Sequence, residues 1–221
     1  MKINDIMKKY KLSARSIAIL VDVTPATVNY WQKNHNGVIP AKFLDRTQSA
    51  LGTIDKIAEI SNVNFSEICP LVIEFKKSPF WRNWAHLKYL LLQSLPAKNE
   101  GSSSFLIKEI EKYIEKTEGN LKEYDNPRKE TAKLVPMLDI ALGNDEGNLV
   151  GFFIFNNTIT LKGILKELSV IEEIHSELPE SKYYFFASKV ENSILLATED
   201  DKYVNFVEFK TGKNTQFKKV Q

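Results

Sequence analysis

Cysteine is nearly absent from this chain. With Cys69 alone in 221 residues, no internal disulfide can form, and the expected compartment is the reducing cytoplasm. Cys69 precedes Pro70 in an apolar segment and reads as a small packing residue rather than a nucleophile. Long apolar runs are missing too. Stretches such as Leu149–Phe155 stop far short of the ~20 residues that span a bilayer, so no membrane partner is expected. The opening MKINDIMKKYKLS has neither a continuous apolar core nor a small-residue cleavage site, and no signal peptide is expected. His35, His86 and His175 lie scattered without ligand spacing, which argues against a metal site. Neither a glycine-rich phosphate loop nor a G-x-S-x-G elbow occurs. Glu172, Glu173, Asp200 and Asp201 read as solvated surface. No catalytic residue and no cofactor is therefore expected.

What is present fits a protein with buried cores: 43% apolar and 26% charged residues. The net charge of +2 is unevenly spread. Residues 1–46 carry eight Lys/Arg against three Asp, or +5, and the remainder sums to −3. A basic end on a mildly acidic body points to an anionic partner for that end, or else to a solvated basic surface.

Helical spacing is clearest in that basic end. Ile3, Ile6, Met7 and Tyr10 predict an amphipathic helix over 3–10. Ser13 suits the N-cap of a second helix, with Ile17, Ala18 and Val21 on one face. Asp22 and Val23 form a turn. Thr24 then caps a third helix with Pro25 at its first position, where a missing N–H costs nothing. Val28 and Trp31 face the core, while Ala26, Asn29, Tyr30 and Lys33 fall on the opposite face.

The run Ser13–Lys33 resembles the helix-turn-helix of the Cro/CI (XRE-like) family of phage and bacterial repressors. The resemblance rests on the small Ala18 at the helix crossing, the core positions Val23, Val28 and Trp31, and the stretch T-P-A-T-V-N-Y-W. Asn36-Gly37 and Ile39-Pro40 resemble the family's turn into a further helix, expected over about Ala41–Leu51 with Phe43, Leu44 and Leu51 inward. The likeness covers about 50 residues. Asp22 stands where the family favours glycine, and Ala14 where it often has a phosphate-bracing glutamine; Ser13 or Arg15 could replace that contact. The implied partner is double-stranded DNA, with the helix Thr24–Lys33 in the major groove. Asn29 would bond adenine and Tyr30 a thymine methyl or a phosphate. Thr24 and Thr27 would offer hydroxyls, and Pro25 and Ala26 the close approach of the helix start. Lys33, Lys11 and Arg15, with Ser13, would position the protein on phosphates.

Beyond this domain (residues 1–52) the spacing predicts a short helix over 53–61 and a segment 65–75 that is helical from Pro70 or extended. Ser78–Pro96 reads as one helix, capped by Ser78 and started by Pro79, whose Phe80, Trp81, Trp84, Leu87, Leu91 and Leu95 are either core or a dimer seam. The expected divisions are a helical extension over 53–95, a Gly/Ser-rich linker over 96–104 and a helical connector over 105–142. The connector would hold a helix near Phe105–Lys116 and a second, broken at Pro136, in TAKLVPMLDIALG.

Residues 143–221 change character. LVGFFIF reads as a buried strand and Thr160 opens an amphipathic helix that Pro179 ends. KYYFFAS, SILLAT, YVNFVEF and TQFKKV then read as strands. The expected fold class is a mainly α N-terminal part followed by a small α+β domain of strand, helix and antiparallel meander. Self-cleaving repressors of the LexA/CI type need a serine nucleophile in a characteristic Gly-containing turn and a lysine base; neither Ser188 nor Ser193 has that setting. The functional expectation is a cytoplasmic, homodimeric DNA-binding transcription regulator, in the first place a phage-type repressor. Its C-terminal domain would serve oligomerisation, sensing or a protein partner. The alternative is a protein-interaction module, antitoxin-like or a phage accessory protein, in which DNA binding is secondary or absent.

Overall fold

Local signals set the first helices where spacing and caps predict them. In the computed structural model, which describes residues 1–78, 84–95, 103–124, 130–211 and 215–220, α1 covers Ile3–Tyr10, α2 Ala14–Leu20 and α3 Pro25–Asn34. Ser13 Oγ accepts from the Ser16 N–H (3.0 Å) and Thr24 Oγ1 from the Thr27 N–H (3.2 Å). Each hydroxyl so satisfies one of the donors that a helix start leaves orphaned. Asn36 and Gly37 take positive φ (49° and 69°) in the turn after α3. Just beyond it the chain returns to its own start: the Ile3 N–H donates to Gly37 O (2.8 Å) and the Ile39 N–H to Met1 O (3.0 Å).

The two helices expected over 41–51 and 53–61 form one. A 3-10 turn, Ala41–Phe43, runs into α4, Leu44–Ser61, without a break at Gly52. A mid-helix glycine costs only ~1 kcal/mol relative to alanine, and the face of Thr47, Ala50, Leu51, Ile54, Ile57 and Ile60 is buried throughout. Next, α5 covers Phe65–Lys77, starting before Pro70 rather than at it. Pro70 is exposed and sits in the second turn. Ile68, Cys69 and Val72 are buried on the helix's inner side. These helices belong to a first compact unit, Met1–Leu87; the second is Lys88–Gln221, and the division falls within α6, Trp84–Ser94. The expected start of that helix at Ser78–Pro79, with Phe80 and Trp81, lies outside the described residues in part, as does most of the linker 96–104.

The second unit holds α7 (Ser103–Glu118) and a six-stranded mixed sheet whose spatial order follows the chain, β1 to β6. The strands are β1 Lys122–Glu123, β2 Ile140–Gly143, β3 Leu149–Ile159, β4 Lys182–Val190, β5 Val204–Lys210 and β6 Gln216–Lys219. Helix α8, Leu161–Glu177, capped by Thr160, joins β3 to β4, and α9, Asn192–Ala197, joins β4 to β5.

Three expectations need correcting here. TAKLVPMLDIALG is not helical: Pro136 sits in the second of two 3-10 turns, Thr131–Lys133 and Val135–Met137, and the apolar run after them is β2, antiparallel to β3. SILLAT is helix α9 rather than a strand. The antiparallel meander is absent, because β3–β4 and β4–β5 are parallel pairs; β1–β2, β2–β3 and β5–β6 are antiparallel. Parallel neighbours need a crossover connection, which α8 and α9 supply.

Both faces of the central strands are buried. Tyr183–Ala187 on β4 and Val204–Val207 on β5 are continuous buried runs, as helix-covered parallel strands require. On one face Phe153 and Phe206 stack on Phe185 (ring centroids 4.9 and 5.2 Å). On the other, Tyr113 of α7 meets Phe186 and Phe217 (6.1 and 5.0 Å). A buried ion pair ties α6 to the sheet within this unit: Lys88 Nζ lies 3.6 Å from Asp139 Oδ1 and donates to Leu138 O (2.5 Å). The Ile154 N–H donates to the other Asp139 oxygen (2.9 Å). No helix among the described residues is long and apolar enough to cross a membrane.

Candidate nucleic-acid interface

The turn between α2 and α3 begins where the α2 backbone runs out of partners. The Val21 N–H donates to Ile17 O (3.0 Å) and the Val23 N–H reaches back to Ala18 O (2.9 Å). That reversal places Asp22 at φ 54°, a left-handed conformation in which a side chain other than glycine's is strained. Lys76, from the last turn of α5, closes on the same point. Its Nζ lies 2.6 Å from Asp22 Oδ1 and donates to Ile19 O (3.2 Å). The Lys76 side chain is only 2% exposed, whereas that of Asp22 is 62% exposed. An ammonium at the C-terminal end of α2 also meets the negative end of the helix dipole.

Beyond the turn, α3 is divided by side. Val28 and Trp31 are 0% and 3% exposed, and the Trp31 ring packs on Phe43 at 4.8 Å. Pro25, Ala26, Asn29 and Lys33 are exposed, Thr27 is half-buried, and Tyr30 is 55% exposed. An exposed aromatic ring beside an exposed amide and an amine makes a face with hydrogen-bonding and stacking capacity and little apolar area to hide. Among the described residues Asn29 makes no side-chain hydrogen bond and Lys11, Arg15 and Lys33 make no ion pair. Lys9, by contrast, is engaged by Asp55 (3.0 Å).

The expected site residues do not all stand ready in the same way. Asn29, Tyr30 and Lys33 share the outward side of α3, with Pro25 and Ala26 at its exposed start. Thr24 and Thr27 are committed in part to holding that start, since their hydroxyls bond each other (2.9 Å) besides the cap. Ser13 caps α2 and shares its hydroxyl with Ser16 (2.8 Å). Arg15 is exposed, and Lys11, also exposed, takes φ 54° at the end of α1.

Comparison with protein families, curated proteins and solved structures gives no match.

Lys76 is the residue of this site that sequence reasoning missed. A lysine in the last turn of an amphipathic helix is usually solvated, and no local pattern marks one whose amine is drawn inside. The positive φ demanded of a non-glycine residue at the turn was the available signal, since such a residue calls for a partner. Cys69, by contrast, is buried as expected, and burial pushes its thiol up to about 11, so it stays protonated and unreactive at neutral pH.

The second unit offers a concavity of its own. Leu161, Leu165, Leu168 and Ile171 of α8 line it together with Tyr203 and Val204, bordering an open groove of about 310 Å³. Glu172 and Asp201 stand at its edge; Glu172, Glu173 and Asp200 are exposed as expected, and Asp201 is half-buried. Ser188 is exposed on β4 and Ser193 is exposed on α9.

Proposed function

We propose that the protein is a sequence-specific, double-stranded-DNA-binding transcription regulator of the repressor kind, acting as a homodimer, with α3 as its recognition helix. One observation carries the reading: α3 follows a tight turn from α2, buries Val28 and Trp31, and turns Asn29, Tyr30 and Lys33 outward, Tyr30 edge-on to His35 (5.4 Å) and the other two without a side-chain partner among the described residues. An α-helix fits the major groove, where an asparagine amide can bond adenine in bidentate fashion and an amine can engage phosphate. The concentration of positive charge in residues 1–46 favours the same partner. The second unit we read as the sensing or assembly part, on the strength of its separate core and its cavity.

Selection of random or genomic DNA by the purified protein tests this directly, and a palindromic consensus is the expected result. On that consensus Asn29→Ala should cost ~1–3 kcal/mol and relax the preference at one position. Lys33→Ala should weaken binding to all sequences alike and lower the salt slope by about 1. A folded Asn29→Ala, Lys33→Ala double variant that binds as the parent does would remove α3 from the groove. Absence of any enriched DNA, with a protein partner retained instead, would transfer the reading to a protein-interaction module.

A further inference from the structure

A helix-turn-helix reads DNA only if its second helix is held at a fixed angle to the first, and the turn between them has just one strained residue. We propose that Lys76, on a helix outside the two-helix motif, is a positioning residue for α3, acting through Asp22. Its effect on DNA rests on the function proposed above; its effect on the turn does not.

Asp22 at φ 54° sits in a region that side chains other than glycine's rarely occupy. Its carboxylate is mostly exposed, so burial of Asp22 does not hold it there. The partner is the restrained member. The Lys76 stem is buried in the first unit and its ammonium reaches two points three residues apart: the Ile19 carbonyl at the end of α2 and the Asp22 carboxylate in the turn. The Trp84 ring lies 5.4 Å from the same ammonium, a cation–π distance. One buried cation thus fixes the last turn of α2 relative to the residue that reverses the chain. A charge taken from water this completely persists only with such partners. Glycine in place of Asp22 would reach the same φ with no anchor. The aspartate–lysine pair therefore replaces conformational freedom by an external tether, and the entry angle of α3 depends on α5.

The test uses the full chain and four variants: Lys76→Met, which keeps the volume and removes the charge; Asp22→Asn, which alters only the exposed partner and leaves no buried cavity; Asp22→Gly; and Lys76→Met with Asp22→Gly. Amide hydrogen exchange by NMR reads Asp22 and Val23, whose N–H groups donate to Ile19 O and Ala18 O. Exchange there should quicken about tenfold or more in Lys76→Met, and by less in Asp22→Asn, while the α4 core amides keep their protection. Asp22→Gly combined with Lys76→Met should return the turn to near-parent protection. Unchanged exchange in Lys76→Met and in Asp22→Asn overturns the proposal, as does quickening in Lys76→Met that added Asp22→Gly fails to reverse. On the selected DNA, Lys76→Met should lose about tenfold in specific affinity at an unchanged salt slope. A slope lowered by about 1 would make Lys76 a phosphate contact and also overturn it. If the parent selects no DNA, the proposed function fails while the exchange result still decides the role of Lys76.

Discussion

Glu111 lies on α7 with Gln93 Nε2 3.4 Å from one carboxylate oxygen and Tyr89 close by. Burial raises its pKa above the ordinary carboxylate range; the Tyr89 hydrogen bond lowers it in part, and Glu115 raises it further. A carboxyl raised in the folded state binds its proton more tightly there than in the unfolded chain. Its contribution to stability is then complete below the unfolded pKa and is lost as pH rises through the folded one. Urea midpoints of the parent should therefore fall between about pH 4 and pH 7 by more than those of Glu111→Gln. Equal slopes in the two proteins would place that carboxylate in water. Such an environment is invisible in sequence, where EIEKYIEK reads as an ordinary solvated helix face. Caps are the opposite case. Ser13, Thr24 and Pro25 act on the backbone within three residues of themselves, so the starts of α2 and α3 were legible to the residue. Lys76 was not, because its partner lies 54 residues away.

At the level of elements, helices with a clear apolar stripe were readable and short, uniformly apolar segments were not. SILLAT has no period to distinguish strand from helix, and that one misreading propagated. With a strand there, KYYFFAS and YVNFVEF would be separated by a further sheet member. With a helix there, they become parallel neighbours, Tyr183 opposite Val204 and Phe185 opposite Phe206. The burial of both faces of β4 follows from the same crossover arrangement. Gly151 on β3 shows how tightly one face is filled. A methyl group there would come within 2.9 Å of both the Leu138 side chain and the Tyr183 ring. Gly151→Ala should cost ~1–3 kcal/mol, as overpacking in a close-packed core does. Thermal or urea unfolding measures this, and Leu138→Ala should recover part of the loss by making room. A neutral Gly151→Ala would mean that the core around β3 yields more easily than its packing implies.

For the molecule as a whole, the basic charge and the exposed side of α3 belong to one unit and the mixed sheet to the other. The strand in LVGFFIF was readable because such a run cannot sit in a solvated helix, but the sheet it belongs to starts earlier than Gly143, with β1 and most of β2 inside the stretch expected as a helical connector. The placing of α6, within which the division falls, was not readable, since a helix that is apolar on several sides can serve a core or an interface equally well. The strands of the sheet stand in chain order, so that among the described residues β6 forms one of its borders. Lys218 and Lys219 of β6 pair with Glu208 and Val207 of β5, and Phe217 lies against Phe186 and Phe209. A charged, lysine-bearing border discourages strand addition from another chain. Removing residues 212–221 would strip that border and turn β5, rich in buried aromatic and β-branched residues, into an open template. The shortened protein should then associate with rising concentration in light scattering, and a charged substitution on β5 should suppress it. Residues 212–221 would in that event decide colloidal behaviour, and their loss by proteolysis would cost solubility before it disturbed either core.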